Sequence, residues 1–554
     1  MAQSVLDLID VQFQDATNHT SITSTDTIGM VMPFYWGESD KTVVYNRTSF
    51  YEMFPESLPI GVTSIETPDL YTGYAQIKAA FAHGAGEVEI YRPSDGWKYQ
   101  GITITSTGTV ASKVAAKASE KFDETKAVSI SLKYAGYVPQ SLAYGYDNIA
   151  LAVKFANSAD YTGGSMITVA VFGKKGNAYE TEPFEIFEGA ADPQANIGGE
   201  SIFLENIING VSQFIDVRVT DNVTVASPAA DYTKIDCDTY SETGVYTTTG
   251  TPSFTAAFKQ GVDKGYNMFK DYESSICTLI INPFVTKSAT QGDTVLIEEY
   301  DSQIKGIAEY RKNCLAIIGY PTDNSTTYDK TTIETYFNSH SSKGSKFCIA
   351  IQGCEYFSVF GRRFTLNCVA GYAGAMVNVA KEEHLNQIAS GYVYGNYGGS
   401  LKKSLLSGPA IDLMEEGINS VYTSKRGNLI WGTRTRYGRQ SSYFGKINVM
   451  RVCSMLLKNI FPIAIETLHT DAASNPITRA SLSTMLNSII DRYITNQDLH
   501  ADSYADCSDS INTDYLTKGG TVLNIILNLH FIGLVERVSI KIIATDTSVT
   551  AEFV

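Results

Sequence analysis

The segment Trp431-Gly432-Thr433-Arg434-Thr435-Arg436 says more about the fold than any other stretch of this chain. The tripeptide Gly417-Ile418-Asn419 precedes it, and Ile447-Asn448-Val449-Met450-Arg451 follows it as the start of a predicted helix. A hexapeptide alone would carry little weight, since short motifs recur by chance. The order and spacing of all three elements, with a large C-terminal remainder, make the combination more specific.

A second set of motifs lies near the N-terminus. Ile28-Gly29-Met30-Val31 begins an apolar stretch, and Ser49-Phe50-Tyr51-Glu52-Met53-Phe54 follows a short polar connector. Residues 79–86 then predict the end of a helix, with Gly84 as a left-handed helix stop. The strand Glu89-Ile90-Tyr91-Arg92-Pro93 comes next and ends at its proline.

In order and spacing these motifs resemble those of contractile tail sheath proteins, which form the sleeve around the tube of myovirus tails and related injection machines. Sheath proteins carry an apolar strand, a short Phe-containing helix and a helix ending in F-F-x-N-G-G near the N-terminus. This chain has His83-Gly84 where an Asn-Gly pair is usual, and Pro93 where Val is usual. The matches cover roughly the N-terminal sixth and the C-terminal half.

The resemblance implies a structural subunit without catalysis or cofactor. Its motif residues are expected to form a structural core in the C-terminal domain; they are Gly417, Asn419, Trp431, Gly432, Arg434, Thr435 and Arg451. Sheath subunits stack as hexameric rings into a helical homo-oligomer around a tail tube protein, between baseplate and tail terminator proteins. Contraction drives the tube through the bacterial envelope for genome ejection.

In the sheath family, N- and C-terminal arms add strands to the sheets of adjacent subunits. The termini of this chain fit such arms, because they are polar with short alternating segments. The candidate strand residues are Val11, Phe13, Val538, Ile540 and Ile542. Unpaired strands at chain ends invite pairing with a neighbour, although fraying termini are the alternative.

Length, composition and charge restrict the class of protein. A chain of 554 residues predicts three to four domains, and a hydrophobic share of 44% is ordinary for globular cores. The net charge of −16 argues against nucleic-acid binding and against docking on an anionic membrane. The 34 tyrosines suit extensive protein contact, and equally a β-rich fold.

Targeting and cysteine patterns predict a chain that is made and folded in a cytoplasm. The resemblance to sheath proteins implies that this is the cytoplasm of a host bacterium and that the finished protein lies in the tail of a virion. Residues 1–10 lack a basic n-region and a long apolar core, as a signal peptide would require. The longest apolar run, residues 521–535, is too short to span a bilayer. The eight cysteines show no CxxC pair or zinc spacing and are expected to be small buried hydrophobes.

Along the chain the pattern predicts a multidomain protein of the α/β and α+β classes. Strand–helix–strand alternation in residues 27–93 and again from 277 to 351 predicts a parallel sheet with right-handed crossovers. Short alternating runs between them predict an inserted antiparallel β domain. The predicted division is an N-terminal arm 1–26, a first core part 27–93, a protruding β domain 94–240, an α/β domain 241–425, a C-terminal sheath domain 426–535 and a C-terminal arm 536–554.

Motifs of enzyme chemistry are lacking in the sequence. It has no G-x-S-x-G, H-E-x-x-H or EF-hand spacing, and the glycines before Lys446 are too far apart for a phosphate loop. His384 is expected at a solvated helix position. Arg434 and Arg436 either pair with carboxylates at a junction or are surface arginines beside a buried Trp431.

The sequence therefore predicts a contractile tail sheath protein, most simply of a bacteriophage. The sheath of a bacterial injection system, such as a pyocin or a type VI-like apparatus, is the alternative within this class. An enzyme or binding protein on an α/β scaffold with a β insertion is the alternative from another class.

Overall fold

A computed structural model describes residues 26–553 except 64, 66–68, 116–117, 144, 239, 248–252, 286–295, 323–327, 439–441, 513–521, 535–539 and 545–548. The predicted sites Val11, Phe13 and Val538 therefore lie outside the described residues. The helices of the described part are α1 Arg47–Met53, α2 Asp69–Ala82, α3 Leu204–Ile208, α4 Ala256–Lys270, α5 Leu296–Arg311, α6 Lys330–Ser339, α7 Val369–Glu382, α8 Gly391–Tyr394, α9 Ser407–Glu415, α10 Ile447–Thr467 and α11 Pro476–Thr495.

The strands fall into three consecutive groups along the chain. The first group is β1 Thr27–Val31, β2 Thr42–Asn46 and β3 Glu87–Tyr91. The second is β4 Tyr99–Ile104, β5 Val110–Ala115, β6 Val128–Leu132, β7 Asn148–Ala156, β8 Met166–Lys175, β9 Ala178–Tyr179, β10 Glu185–Ala190, β11 Asn196–Ile197, β12 Glu200–Ser201, β13 Ile215–Val219, β14 Thr233–Asp236, β15 Tyr246–Thr247 and β16 Ser253–Phe254. The third is β17 Leu279–Ile281, β18 Leu315–Gly319, β19 Cys348–Gln352, β20 Cys354–Val359, β21 Arg362–Asn367, β22 Ser400–Lys403, β23 Ile418–Ser424, β24 Gly427–Trp431, β25 Tyr504–Asp506, β26 Ile526–Asn528, β27 Ile540–Ala544 and β28 Val549–Phe553.

An eight-stranded sheet in the order β2-β3-β1-β17-β18-β19-β23-β24 joins the two α/β stretches of the sequence. Its six inner strands run parallel, and the two edge strands β2 and β24 are antiparallel. Strands β1, β17, β18 and β19 are buried at every position, which requires cover on both sheet faces. The predicted mixed α/β fold with a parallel sheet is confirmed.

Helices α2 and α7 pack closely because glycine replaces a side chain at their contact. A Cβ on Gly374 of α7 would come 2.3 Å from the Ala80 carbonyl oxygen of α2. Gly84 follows α2 with a φ of +104°, as the predicted left-handed stop requires, and a Cβ there would meet the Asn378 side chain at 2.6 Å. The N-terminal motif and α7, which are distant in sequence, are thus packed together.

The segment between β3 and β17 forms separate antiparallel sheets. One has the order β13-β6-β4-β5, and the other has the order β10-β8-β7-β14 with β9 beside β8. Both arise from the alternating runs that predict antiparallel β structure in this region. Buried residues of these sheets, including Ile102 and Ile130, belong to the same continuous hydrophobic core as the eight-stranded sheet.

A buried arginine fixes the base of this β-rich segment. Arg92 donates to the carbonyl oxygens of Phe34 at 2.8 Å, Gly37 at 3.0 Å and Ala135 at 2.6 Å. Burial lowers the pKa of Arg92 to about 10. Because its acceptors come from both sides of the junction, the orientation of the β-rich segment depends on this side chain.

The C-terminal part contains the two longest helices, α10 and α11, which pack on each other, and two small antiparallel sheets, β25–β26 and β27–β28. By length and composition, Ile447–Thr467 is one helix of the described chain that could cross a bilayer, with a mean hydropathy of 1.3. Its apolar window is 72% buried inside the protein, as in a core helix.

The last strands of the chain are short. The apolar run at residues 521–535 contains β26, Ile526–Asn528, among its described residues, and the predicted C-terminal arm 536–554 contains β27 and β28. Ile540 and Ile542 of β27 pair with Phe553 and Ala551 of β28, so this segment is a hairpin of the chain itself. The predicted boundary at 425/426 falls in the turn between β23 and β24, which are neighbouring strands of the large sheet. All eight cysteines are buried free thiols, as predicted.

Glu355 is a buried acid in the three-stranded sheet β21-β20-β22. Its side chain is fully buried, and hydrogen bonding to Tyr397 offsets only part of the effect of burial on its carboxyl group. A Cβ on Gly399 would lie 2.2 Å from one of these oxygens, so the backbone closes over the acid. Burial raises the pKa of Glu355 from its ordinary 4.5 to about 7.

Glu355→Gln should flatten the pH dependence of unfolding. A carboxyl whose pKa is raised on folding binds its proton more tightly in the folded state. Its stabilising contribution is therefore complete below about 4.5 and is lost as the pH rises towards about 7. A shift of this size is worth roughly 3 kcal/mol, so the variant should gain melting temperature relative to wild type at pH 8 but not at pH 4.

Melting curves by calorimetry between pH 4 and pH 8 would measure this effect. Glu52→Gln, at an exposed helix position, is the control and should follow the wild-type curve. If the difference between Glu355→Gln and wild type were the same at both pH values, the interpretation of Glu355 as a neutral buried acid would be wrong.

Candidate functional site

The C-terminal motifs meet at one side of the large sheet, where Asn419 holds the segment that follows β24. The Asn419 side chain, fully buried at the start of β23, donates to the Ala350 carbonyl at 2.9 Å and to the Arg434 carbonyl at 2.8 Å. Its oxygen accepts from the Arg434 backbone amide at 3.1 Å. The Asn419 amide therefore joins β19 and β23 to the backbone of Arg434. It donates and accepts hydrogen bonds as the backbone of a neighbouring strand would.

The two motif glycines make room for this arrangement. Gly432 has a φ of +141°, and a Cβ there would lie 2.2 Å from the Asn419 side-chain oxygen. Gly417 has a φ of +73° after α9, and a Cβ there would lie 2.7 Å from the Thr435 carbonyl oxygen. Both positions need the left-handed region and close backbone approach, which explains glycine at each.

Arg436 binds the C-terminal ends of two helices. It is 2% exposed, and its guanidinium donates to the carbonyls of Glu416 after α9 at 2.8 Å and Phe337 in the last turn of α6 at 2.6 Å. Burial lowers the pKa of Arg436 to about 10. A cation at helix C-termini satisfies unpaired carbonyls and opposes the negative end of each dipole. The carboxylate partner expected for this arginine is therefore replaced by backbone carbonyls.

The remaining motif residues have different positions. Thr435 is fully buried and donates through its hydroxyl to the Phe444 carbonyl at 2.9 Å. Trp431 ends β24 and is only partly buried, with its ring 6.1 Å from that of Tyr392. Arg434, half-buried, bridges Lys446 through its backbone. The alternative of a buried Trp431 beside two surface arginines does not describe the structure, because Trp431 is partly exposed and Arg436 is buried.

Arg451 of α10 reaches back to the beginning of the described chain. Its guanidinium forms an ion pair with the carboxylate of Asp26, and the side chains are 3% and 1% exposed. The second oxygen of Asp26 accepts from the Thr278 hydroxyl at 2.8 Å, next to β17. Sequence reasoning missed Asp26, because only the fold brings it to a motif residue 425 positions away.

Histidines that are isolated in the sequence also find carboxylates in the fold. His384 lies 3.0 Å from Asp498, and hydrogen bonding to that carboxylate raises the pKa of His384. The expectation of a solvated position is therefore wrong for His384, which ties the end of α7 to the C-terminal part. His340 lies 3.7 Å from the buried Asp301, and burial lowers its pKa to about 4.

These contacts join structural elements and leave the motif residues with backbone or buried partners. Within the described ranges no group of three or more His, Cys, Asp or Glu side chains could hold a metal ion. The geometry suits a rigid junction between the N-terminal strand, the large sheet and α10.

Comparison with known proteins gives structural matches but no sequence match. No protein-family model and no curated protein matches the chain. A sheath tail protein of Listeria innocua is 12% identical, with 89% of this chain and 90% of that chain covered and a TM-score of 0.48. A sheath tail protein of Desulfitobacterium hafniense is 11% identical over 90% and 93%, with a TM-score of 0.45.

The chain is also similar to the sheath complex of an extracellular contractile injection system, PVC, in its contracted state. That structure is 9% identical, covers 97% of each chain and has a TM-score of 0.48. These matched structures are sheath proteins, the family that the sequence motifs resemble.

Arg451→Met should destabilise the protein strongly, because it leaves the buried Asp26 carboxylate without its cation. Breaking one side of a buried ion pair typically costs about 3–5 kcal/mol. Asp26→Asn combined with Arg451→Met removes both charges and should recover part of the loss. Urea unfolding of the wild type, both single variants and the double variant would measure the coupling.

A loss below about 1 kcal/mol for Arg451→Met, the value of an ordinary exposed pair, would contradict the importance of this contact. Arg426→Met, an exposed arginine on the β23–β24 turn, is the matched control and should unfold like wild type.

Proposed function

We propose that this chain is the subunit of a contractile sheath that polymerises around a tube. The observation that carries the proposal is that Asn419, Gly432 and Arg451, three residues of the sheath-like motifs, are buried at contacts between separate elements of the fold. Their partners are backbone groups and an N-terminal carboxylate, as suits a load-transmitting core. The work of such a subunit is mechanical.

Contraction would proceed by near-rigid movement of subunits from a strained, extended lattice to a wider and shorter one. A core whose sheet is covered on both faces, and whose elements are joined by buried hydrogen bonds and ion pairs, can move as one body. No nucleotide is needed, because the free energy is stored as metastable packing during assembly. The links between subunits must then hinge while the core keeps its shape.

The termini are the proposed links. β27 and β28 form a two-stranded ribbon, which is marginal alone and gains from a third strand. Each end strand of a two-stranded sheet offers one unpaired ladder to a neighbour. We propose that residues 1–25 and this ribbon exchange strands with adjacent subunits, through Val11, Phe13, Val538, Ile540 and Ile542.

The β-rich segment 94–240 is proposed to project from the sheath surface and to lie outside the lattice contacts. Its separate antiparallel sheets support this position. The shared core at its base, through Arg92 and the buried Trp97, means that removal of the whole segment would expose the junction. Surface substitutions test its role more cleanly than deletion.

The fuller form of the proposal is a bacteriophage tail sheath in stacked hexameric rings, assembled in the host cytoplasm and then part of the virion. Its partners would be the tail tube, baseplate and tail terminator proteins. Capsid genes beside the coding gene would favour the phage over a pyocin-like or type VI-like injection system. Discrete small particles in negative-stain micrographs would instead favour an α/β enzyme or binding protein.

Removing residues 2–22 should abolish or greatly shorten the tubes that full-length protein is expected to form. The deletion stops short of Asp26, which must stay to pair with Arg451. Backbone hydrogen bonds to a neighbour contribute about 1 kcal/mol each, but they repeat at every subunit. Negative-stain microscopy measures tube length, and calorimetry should show a nearly unchanged melting temperature.

Replacing Val11 and Phe13 by Ser in the full-length protein keeps the backbone of the proposed strand but removes its apolar side chains. This variant should still form tubes, but they should be shorter than those of wild type. Tubes of normal length from the deleted protein would refute strand exchange by the N-terminal arm. A full-length protein that stays monomeric at high concentration in light scattering would count against the sheath itself.

A further inference from the structure

Two buried thiols meet where β17 and β18, neighbouring strands of the large sheet, begin. Cys277 comes directly before Thr278, and Cys314 comes directly before Leu315, the first residue of β18. The Thr278 carbonyl accepts from the Leu315 amide at 2.9 Å, so the two cysteines flank one hydrogen bond between the strands. Neighbouring strands lie about 4.8 Å apart, and a disulfide joins Cα atoms about 4.4–6.8 Å apart, so such a bond fits this pairing.

The Cys277 sulfur is surrounded by hydrogen-bond donors. Arg311, in the last turn of α5, donates to it at 3.5 Å, and the Ser275 hydroxyl donates to it at 3.4 Å. The same guanidinium donates to the Cys277 carbonyl at 3.3 Å, which fixes its position relative to the thiol. Hydrogen bonding from Cys314 and the charge of Arg311 lower the pKa of Cys277, although burial acts in the opposite direction. These donors favour the thiolate, which is the nucleophilic form of cysteine.

Cys314 has the complementary state. Its hydrogen bond to Cys277 and its burial raise the pKa of Cys314, so this thiol keeps its proton. A thiolate in contact with a neutral thiol is the arrangement in which one sulfur is oxidised first and the other then displaces the product. Cys453 lacks this activation, because burial raises its pKa to about 12.

Packing around Cys277 restricts the oxidant that can reach it. Both Cys277 and Cys314 are 0% exposed. A Cβ on Gly29 of β1 would lie 2.9 Å from the Cys277 sulfur and 2.9 Å from the Phe269 ring of α4, so the neighbouring strand and helix close over the thiol. Local opening of the fold admits a molecule of the size of hydrogen peroxide more readily than a bulky disulfide such as oxidised glutathione.

We propose that Cys277 and Cys314 form a disulfide when hydrogen peroxide reaches the core, and that this bond locks the start of β17 to that of β18. The Cys277 thiolate attacks one peroxide oxygen, the O–O bond breaks and hydroxide leaves, which gives a sulfenic acid on Cys277. The Cys314 sulfur then attacks the Cys277 sulfur, the S–S bond forms, and the sulfenic oxygen leaves as water with the Cys314 proton. The hydroxide takes up the proton that Cys277 had lost. Two thiols and one peroxide thus give one disulfide and two water molecules, and two electrons pass from sulfur to oxygen.

The bond would brace the sheet beside the ion pair of Asp26 and Arg451. Thr278, next to Cys277, donates to Asp26 at 2.8 Å, and the crosslink would close the crossover from β17 through α5 to β18. The use of this bond rests on the proposed function, because a sheath that leaves a reducing cytoplasm meets oxidising surroundings. Formation of the bond depends only on the fold of one subunit.

Peptide mapping of the full-length protein tests the proposal. The reduced protein, freed of reductant, would be treated with hydrogen peroxide, alkylated in denaturant and digested for mass spectrometry. Two of the eight cysteines should lose their free thiols, and the peptides that contain Cys277 and Cys314 should be joined by a bond that dithiothreitol cleaves. The oxidised protein should melt roughly 3 °C or more above the reduced one, because a crosslink restricts the unfolded chain. Oxidised glutathione should form the bond about tenfold more slowly or slower still.

Cys277→Ala and Cys314→Ala should each abolish the joined peptide and the rise in melting temperature on oxidation. Cys453→Ala, which removes another buried thiol, is the matched control and should form the bond like wild type. Eight free thiols in wild type after oxidation, or a bond from Cys314 to Cys348 instead, would overturn the proposal, and neither result depends on the folding of a variant. Equal rates with the two oxidants would overturn the choice of peroxide. Wild-type protein that forms the bond but no tubes would support this inference and contradict only the proposed function.

Discussion

The ion pair between Asp26 and Arg451 is the contact on which the rest of the structure depends. It joins the entry to β1 with the first turns of α10, and Thr278 of the neighbouring β17 completes it at 2.8 Å. A buried pair of this kind adds little net stability compared with apolar packing, but it tolerates only one geometry. The ion pair therefore fixes the position of α10 relative to β1 and β17 of the large sheet.

The same device recurs at the other junctions, where buried arginines bind backbone carbonyls of separate elements. Arg92 fixes the base of the β-rich segment, Arg436 binds the ends of α6 and α9, and Arg311 donates to the carbonyls of Phe269 and Ser275 at 2.9 and 3.1 Å. Each guanidinium satisfies several unpaired acceptors at once, which a shorter or neutral side chain could not do. These buried arginines thereby hold the connections between elements in place.

Sequence patterns predicted the alternation of strands and helices in the α/β parts of this fold, but not the partners of its motif residues. Apolar periodicity predicted the strand–helix–strand alternation from 277 to 351, where β18, β19 and α5 lie, because fully buried strands and amphipathic helices have distinct patterns. The pairing of His384 with Asp498 and of Arg451 with Asp26 depends on chain crossings that no local pattern encodes. The second strand of the hairpin β27–β28 was missed, although Val549–Phe553 alternates apolar and polar residues as a strand does.

A rigid core would suit the proposed mechanical work of a sheath subunit. Because buried side chains hold the junctions, a change of lattice would be absorbed at contacts between subunits, where charged groups and added strands can re-pair at modest cost. Contacts of opposite charge are also longer in range than apolar contacts, so they can guide neighbours between two arrangements without separating them.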